Sequence, residues 1–221
     1  MLTYSTTRKK GLAITATVVL VAGLALAGCS TSSPETPTSA TTSASDDVFL
    51  AKFDLTGLDG AQIVDRLDAT PIADRPTTLM ASVRPDVLVL SADQNNEIQL
   101  PMPTDEVYVS IAPYETQTHD CYNHSLTTCI GELRNTEVQV TLIDNETGET
   151  LADDLMATFD NGFIGLWIPR GVEATLTITH EGRAGTAEVS TVNTDDPTCI
   201  TTLQLTRRHE RPLSASPYVR L

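Results

Sequence analysis

Residues 137–144 read EVQVTLID, with Val138, Val140 and Leu142 on every second position. A period of two puts these three side chains on one face of an extended chain and leaves Gln139 and Thr141 for the other. The same alternation appears upstream in EVYVSIAP (106–113), through Val107, Val109 and Ile111. Downstream follow the turn DNETGE, a run ending in ATFDNG, then GFIGLWIP, the turn PRG, EATLTITHEG, GTAEVSTV and CITTLQL. Short strands at about ten-residue spacing, broken by Asn-Gly, Thr-Gly and Glu-Gly, predict an antiparallel β-sandwich over residues 101–206.

Before residue 101 the texture is mixed. FLAKFDLTGLDGAQIVDRLDATP holds one short helix, capped by Asp59, with Ala61, Ile63, Val64 and Leu67 as its apolar positions and Pro71 beyond its end. MASVRPDVLVLSAD and EIQLPMP are two strand-like runs around the turn-forming ADQNN. Residues 48–100 are therefore expected to form a small α+β domain, and the chain as a whole to be mainly β within the α+β class. No internal repeat is present.

The ends read differently again. Residues 1–28 carry a basic start (Arg8, Lys9, Lys10) and an apolar run from Gly11 to Ala27 with no acidic residue, the layout of a secretory signal peptide. The junction Leu26-Ala27-Gly28-Cys29 resembles the lipobox of bacterial lipoproteins, which implies lipidation of Cys29 and cleavage before it. Residues 29–47 then form a Ser/Thr/Pro-rich linker without apolar periodicity. Residues 207–221, with His209, are expected to be a disordered tail. These features predict an extracytoplasmic lipoprotein anchored on the outer face of the bacterial cytoplasmic membrane.

Composition removes some partners. The chain holds 14 basic and 29 acidic residues. Without Arg8, Lys9 and Lys10 the balance is 11 against 29, a net charge of −18. Such a charge repels nucleic acid and anionic lipid, so neither is expected to bind the folded part. Serine-hydrolase elbows, P-loops and dinucleotide-binding glycine fingerprints are absent.

The chemistry concentrates in HDCYNHSLTTC (119–129), which holds two of the four cysteines and two of the four histidines. Extended, Cys121 and Cys129 would lie roughly 26 Å apart. Asn123, His124 and Ser125 favour a turn, and the segment is read as a loop folding back between two strands. Lipidation of Cys29 leaves three thiols, Cys121, Cys129 and Cys199. One reading joins Cys199 to Cys129 or Cys121 in a disulfide, natural in an oxidising compartment and leaving one thiol over. The second is a soft-metal site, because thiolate sulfur and imidazole suit Cu(I) and Zn(II). The C-x7-C spacing is not the C-x2-C knuckle of a structural zinc site. A third is catalytic: SLTTC is similar to the T-L-x-T-C end of the sortases, but the only upstream histidines, His119 and His124, lie too close to match that family. His180 is read as a solvated turn residue, and Trp167 as packing.

Two family resemblances follow. EVQVTLID with its turn and FDNGFIGLWIPRG resembles transthyretin-like modules, which are structural or binding units. More specifically, VSIAPYETQTHDCYNHSLTTCIGEL, DNETGE, TFDNGFIGLWIPRG and DDPTCITTLQL together resemble CueP, an extracytoplasmic copper-resistance family, from about Val48 to Thr206. That resemblance implies copper bound by Cys121, Cys129 and Cys199 with His124 or His119, and thiol-driven reduction of Cu(II) to Cu(I). It further implies a homodimer, a thiol reductant partner, and a copper client such as an extracytoplasmic superoxide dismutase. The resulting expectation is a copper-sequestering or copper-delivering lipoprotein, not an enzyme, with zinc as the other candidate metal. The alternatives are a metal-free sandwich stapled by its disulfide and a thiol oxidoreductase.

Overall fold

The alternation in the sequence becomes two sheets packed face to face, and a computed structural model describes them over residues 43–93 and 96–207. The described part starts with helix α1 (Ala44–Ala51) and helix α2 (Gly60–Asp68). Strands β1 (Met80–Val83), β2 (Val87–Asp93) and β3 (Asn96–Pro101) follow as an antiparallel sheet in that order. The sandwich contains β4 (Glu106–Ile111), β5 (Glu137–Asp144), β6 (Thr150–Ala157), β7 (Ile164–Pro169), β8 (Glu173–His180), β9 (Arg183–Ser190), β10 (Cys199–Ile200) and β11 (Thr206–Arg207). One sheet runs β10-β4-β7, the other β11-β9-β8-β5-β6. The fold is mainly β in the α+β class, as expected, and all its sheets pair antiparallel except where β10 joins β4 in parallel.

The facing surfaces are apolar. Val107, Val109, Ile111, Ile164 and Ile168 from the three-stranded sheet meet Val138, Val140, Leu142, Leu176 and Ile178 from the five-stranded one. A second cluster sits behind the three-stranded sheet, where α2 and β1–β3 supply Ile63, Val64, Leu67, Val83 and Leu90. Tyr108, Leu126 and Trp167 reach into it from beyond residue 100. The three-stranded sheet is thus covered on both faces, and every residue of β4 from Val107 to Ile111 is buried. Trp167 packs on Tyr108, ring centroids 4.9 Å apart, and donates Nε1–H to Asp65 at 2.9 Å.

Two boundaries and one strand differ from the sequence expectation. Helix α1 begins inside the stretch read as linker. Ser43 and Asp46 form a reciprocal capping box there, and Phe49 and Leu50 bury the helix against the second cluster. A serine-rich run hides such a cap, because the residues that mark a spacer also start helices. At the far end, Arg207 pairs with Arg183 in β11. The run MASVRPDVLVLSAD is two strands, since Pro85 lacks the N–H a continuous ladder needs. Helix α2 matches its prediction, with an Asp59–Gln62 capping box and buried Ile63, Val64 and Leu67. Cys29, the signal segment and His209 lie outside the described residues. Among the described residues no helix is long and apolar enough to cross a membrane.

Candidate metal centre

The loop after β4 is held in place at both ends of its turn. The His124 carbonyl accepts from Val83 N at 2.8 Å, Leu126 N donates to Ala81 O at 2.9 Å, and an isolated bridge pairs Ser82 with Ser125. His124 N donates to the Thr198 hydroxyl at 3.1 Å, and that hydroxyl donates to Val83 O at 2.7 Å. Both Thr198 N and Cys199 N donate to Tyr122 O. The loop therefore serves as an extra strand beside β1 and also as a lid on the start of β10.

The return of the loop is fixed by close backbone contact. Gly131 N donates to Asn161 O at 2.6 Å, and a Cβ on either Gly131 or Gly162 would come within 2.7 Å of the other's backbone. Gly162 also has a φ of 80°, a conformation that glycine adopts without strain. The FDNGF motif thus clamps the chain just after Cys129. Arg75 adds a further hold by donating Nη1–H to Cys129 O at 2.9 Å.

These constraints bring Cys121, His124, Cys129 and Cys199 together, with one donor atom from each lying within 4.8 Å of all the others. Cys121 and Cys199 form a disulfide, their Cα atoms 5.6 Å apart, while Cys129 keeps a free thiol. The Cys129 sulfur is 3.6 Å from that of Cys121 and accepts Ser125 N–H at 3.4 Å. Of the two pairings left open by the sequence, the structure has Cys199 with Cys121. His119 is exposed and is not among the clustered donors. Its ring lies 6.2 Å from that of Phe163, whose other neighbour is His124 at 4.6 Å. His180 closes β8, with Nδ1 2.9 Å from Glu137 O, and is not among the clustered donors.

Beneath the sulfurs lies a buried polar network. Asp68, wholly enclosed at the end of α2, is 3.0 Å from His124 Nε2 through Oδ1. It accepts from Tyr108 Oη at 2.6 Å, Asn161 Nδ2 at 2.7 Å and Ser110 Oγ at 3.3 Å, with Arg75 Nη2 at 3.9 Å. Burial works against ionising Asp68, but the His124 contact and the tyrosine and asparagine donors outweigh it and lower its pKa. Burial likewise disfavours a charged His124. The Asp68 and Cys129 hydrogen bonds overcome that and raise it to about 9. The Cys129 thiol is raised by burial and lowered further by His124, for a net fall.

Sequence reasoning reached the sulfurs and His124 but missed Asp68, Arg75, Tyr108 and Ser110. Asp68 lies 56 residues before His124, in a helix that reads as ordinary. Asn161 was inside a quoted motif but read only as a turn. The local signal for Tyr108 is Gly165, whose missing Cβ leaves room for the tyrosine hydroxyl crossing from the neighbouring strand.

The model of the family described as "Periplasmic copper-binding protein CueP" matches residues 62–204. The chain belongs to the CueP family. The crystal structure of S.CueP is 37% identical, with a TM-score of 0.68, covering 75% of this chain and all of that one. No curated protein matches. The CueP match spans both the helix that carries Asp68 and the strand that carries Cys199, so it covers the whole of the cluster.

Proposed function

We propose that this CueP-family protein captures copper outside the cytoplasm, holding Cu(I) among Cys121, Cys129, Cys199 and His124. The observation that carries the reading is the convergence of three sulfurs and one imidazole nitrogen within 4.8 Å. That donor set is soft and suits Cu(I) better than oxygen-seeking cations, with Zn(II) the nearest competitor. His119, exposed and outside the cluster, is not a donor in this arrangement.

With Cys121 and Cys199 joined, only Cys129 and His124 remain as donors. Reduction of that bond opens the full set. In the reverse direction, two thiols that close to a disulfide release two electrons and two protons, enough to turn two Cu(II) into two Cu(I). The reaction is stoichiometric in this chain's own thiols, so the role is binding and not turnover, and a thiol reductant partner would restore it. Lipid anchorage through Cys29, a homodimer, and delivery to a client such as a superoxide dismutase belong to the same proposal. The closed disulfide favours, as second reading, a stapled interaction domain.

Anaerobic titration of the reduced protein with Cu(I) against a competing chelator separates the two. The proposal expects one tightly held Cu(I) per chain, with binding collapsing in Cys129→Ser. Weak binding indifferent to that substitution would leave the stapled domain as the better account.

A further inference from the structure

Asp68 stands where electrostatics disfavours it. It is the last residue of α2, where the helix dipole repels an anion, and it has no exposure to water. A carboxylate so placed is stable only because it is surrounded by donors, and one of them is the histidine of the metal centre. His124 Nε2 faces Asp68 at 3.0 Å, while the opposite ring nitrogen, Nδ1, faces the sulfurs, 3.8 Å from that of Cys199. Phe163 packs at 4.6 Å against the ring, and the backbone on either side is tied to Thr198 and Val83. The ring is therefore held in one orientation.

We propose that Asp68 is the positioning residue of the centre: by accepting the Nε2–H of His124, it assigns Nδ1 as the nitrogen offered to the metal. The inference rests on the copper reading above but fixes something that reading leaves open, the donor atom and the group that selects it. Which ring nitrogen of a histidine takes a metal is set by the hydrogen bond the other one makes, and a carboxylate partner also strengthens the donor. Tyr108 and Asn161 hold the carboxylate in turn, at 2.6 and 2.7 Å, so that it cannot swing away from the ring. Tyr108 reaches it across Gly165 and Asn161 comes from the FDNGF clamp, which links both features to the metal.

The test is nitrogen NMR of the reduced protein with labelled histidine, metal-free and then loaded with Cu(I). The expected result is an Nε2 proton protected from exchange in both states, with the metal-induced shift on Nδ1. Asp68→Ala is expected to lose that protection and about 10–100-fold in Cu(I) affinity. Asp68→Asn, whose amide oxygen still accepts, should keep the protected proton and most of the affinity, and it covers the case in which the alanine variant does not fold. A metal shift on Nε2, a proton on Nδ1 in the loaded protein, or a folded Asp68→Ala with unchanged affinity overturns the assignment. Failure to bind Cu(I) with the Nε2 proton still in place would sink the copper reading while leaving Asp68 as the group that sets the tautomer.

Discussion

The two faces of the three-stranded sheet are packed by opposite chemistry. Toward the five-stranded sheet, Val107, Val109 and Ile111 of β4 belong to a cluster of buried apolar side chains. Toward α2, Tyr108 and Ser110 of the same strand both donate to one buried carboxylate. The first face needs only volume and shape, so many apolar side chains would serve. The second needs particular atoms in particular places, because a buried polar group left without its partner costs about 1–3 kcal/mol. One strand thus separates a part of the molecule that confers stability from a part that confers chemistry.

The largest expected effect comes from the bond at the border of the two. The Cys121–Cys199 disulfide closes a separation of 78 residues, and its loss should lower stability by about 4–5 kcal/mol in the chain-entropy view. Chemical denaturation with and without reductant measures this. Hydrogen exchange should place the loosening in the loop 119–131, with β5 and β8 unaffected. Loosening spread evenly over both sheets would break the division drawn above.

A core truncation probes the dry face alone. Leu176→Ala, at a site fully buried between the sheets, should cost about 2–5 kcal/mol in unfolding and leave Cu(I) affinity per folded molecule unchanged. On the polar face, Tyr108→Phe removes a 2.6 Å donor to an ionised group and should cost about 1.5–3 kcal/mol. It should weaken Cu(I) binding as well, which the leucine variant does not. Equal effects of the two on affinity would erase the contrast.

The smallest effect is at the rim. Glu132 accepts from the backbone of Glu115, Thr116 and Gln117 and from the Thr116 hydroxyl, just before His119. Slight burial opposes its ionisation, but the Thr116 hydroxyl and backbone donors dominate and hold its pKa at about 2, against an ordinary 4.5. A carboxyl depressed in the folded state contributes stability that is present above pH 4.5 and lost as pH falls toward about 2. Glu132→Gln should therefore flatten the pH dependence of unfolding in that acid window, with little change at neutral pH. An unchanged acid slope would show that these hydrogen bonds do not persist in solution.

The legible parts of the molecule are those where one residue decides one contact. Alternation in EVQVTLID fixed which face of β5 is buried, and Asp59 with Pro71 bounded α2. Family resemblance, not spacing, pointed to the sulfurs and His124, since nothing in C-x7-C tells how the loop returns. Asp68 was illegible because its partners Tyr108, His124 and Asn161 are 40, 56 and 93 residues away and meet only through tertiary packing. On β4 the hydropathy pattern hid the functional face, as Tyr108 and Ser110 are as buried as the valines beside them. The pattern reports burial on one face and is silent on what lies beyond the other.

X-ray absorption at the copper edge of the reduced, Cu(I)-loaded protein reads out whether the clustered sulfurs are the copper ligands. The account predicts an inner shell dominated by sulfur with one nitrogen, and a sulfur count that falls in Cys129→Ser. A shell of oxygen and nitrogen alone, or one unchanged by that substitution, would contradict it.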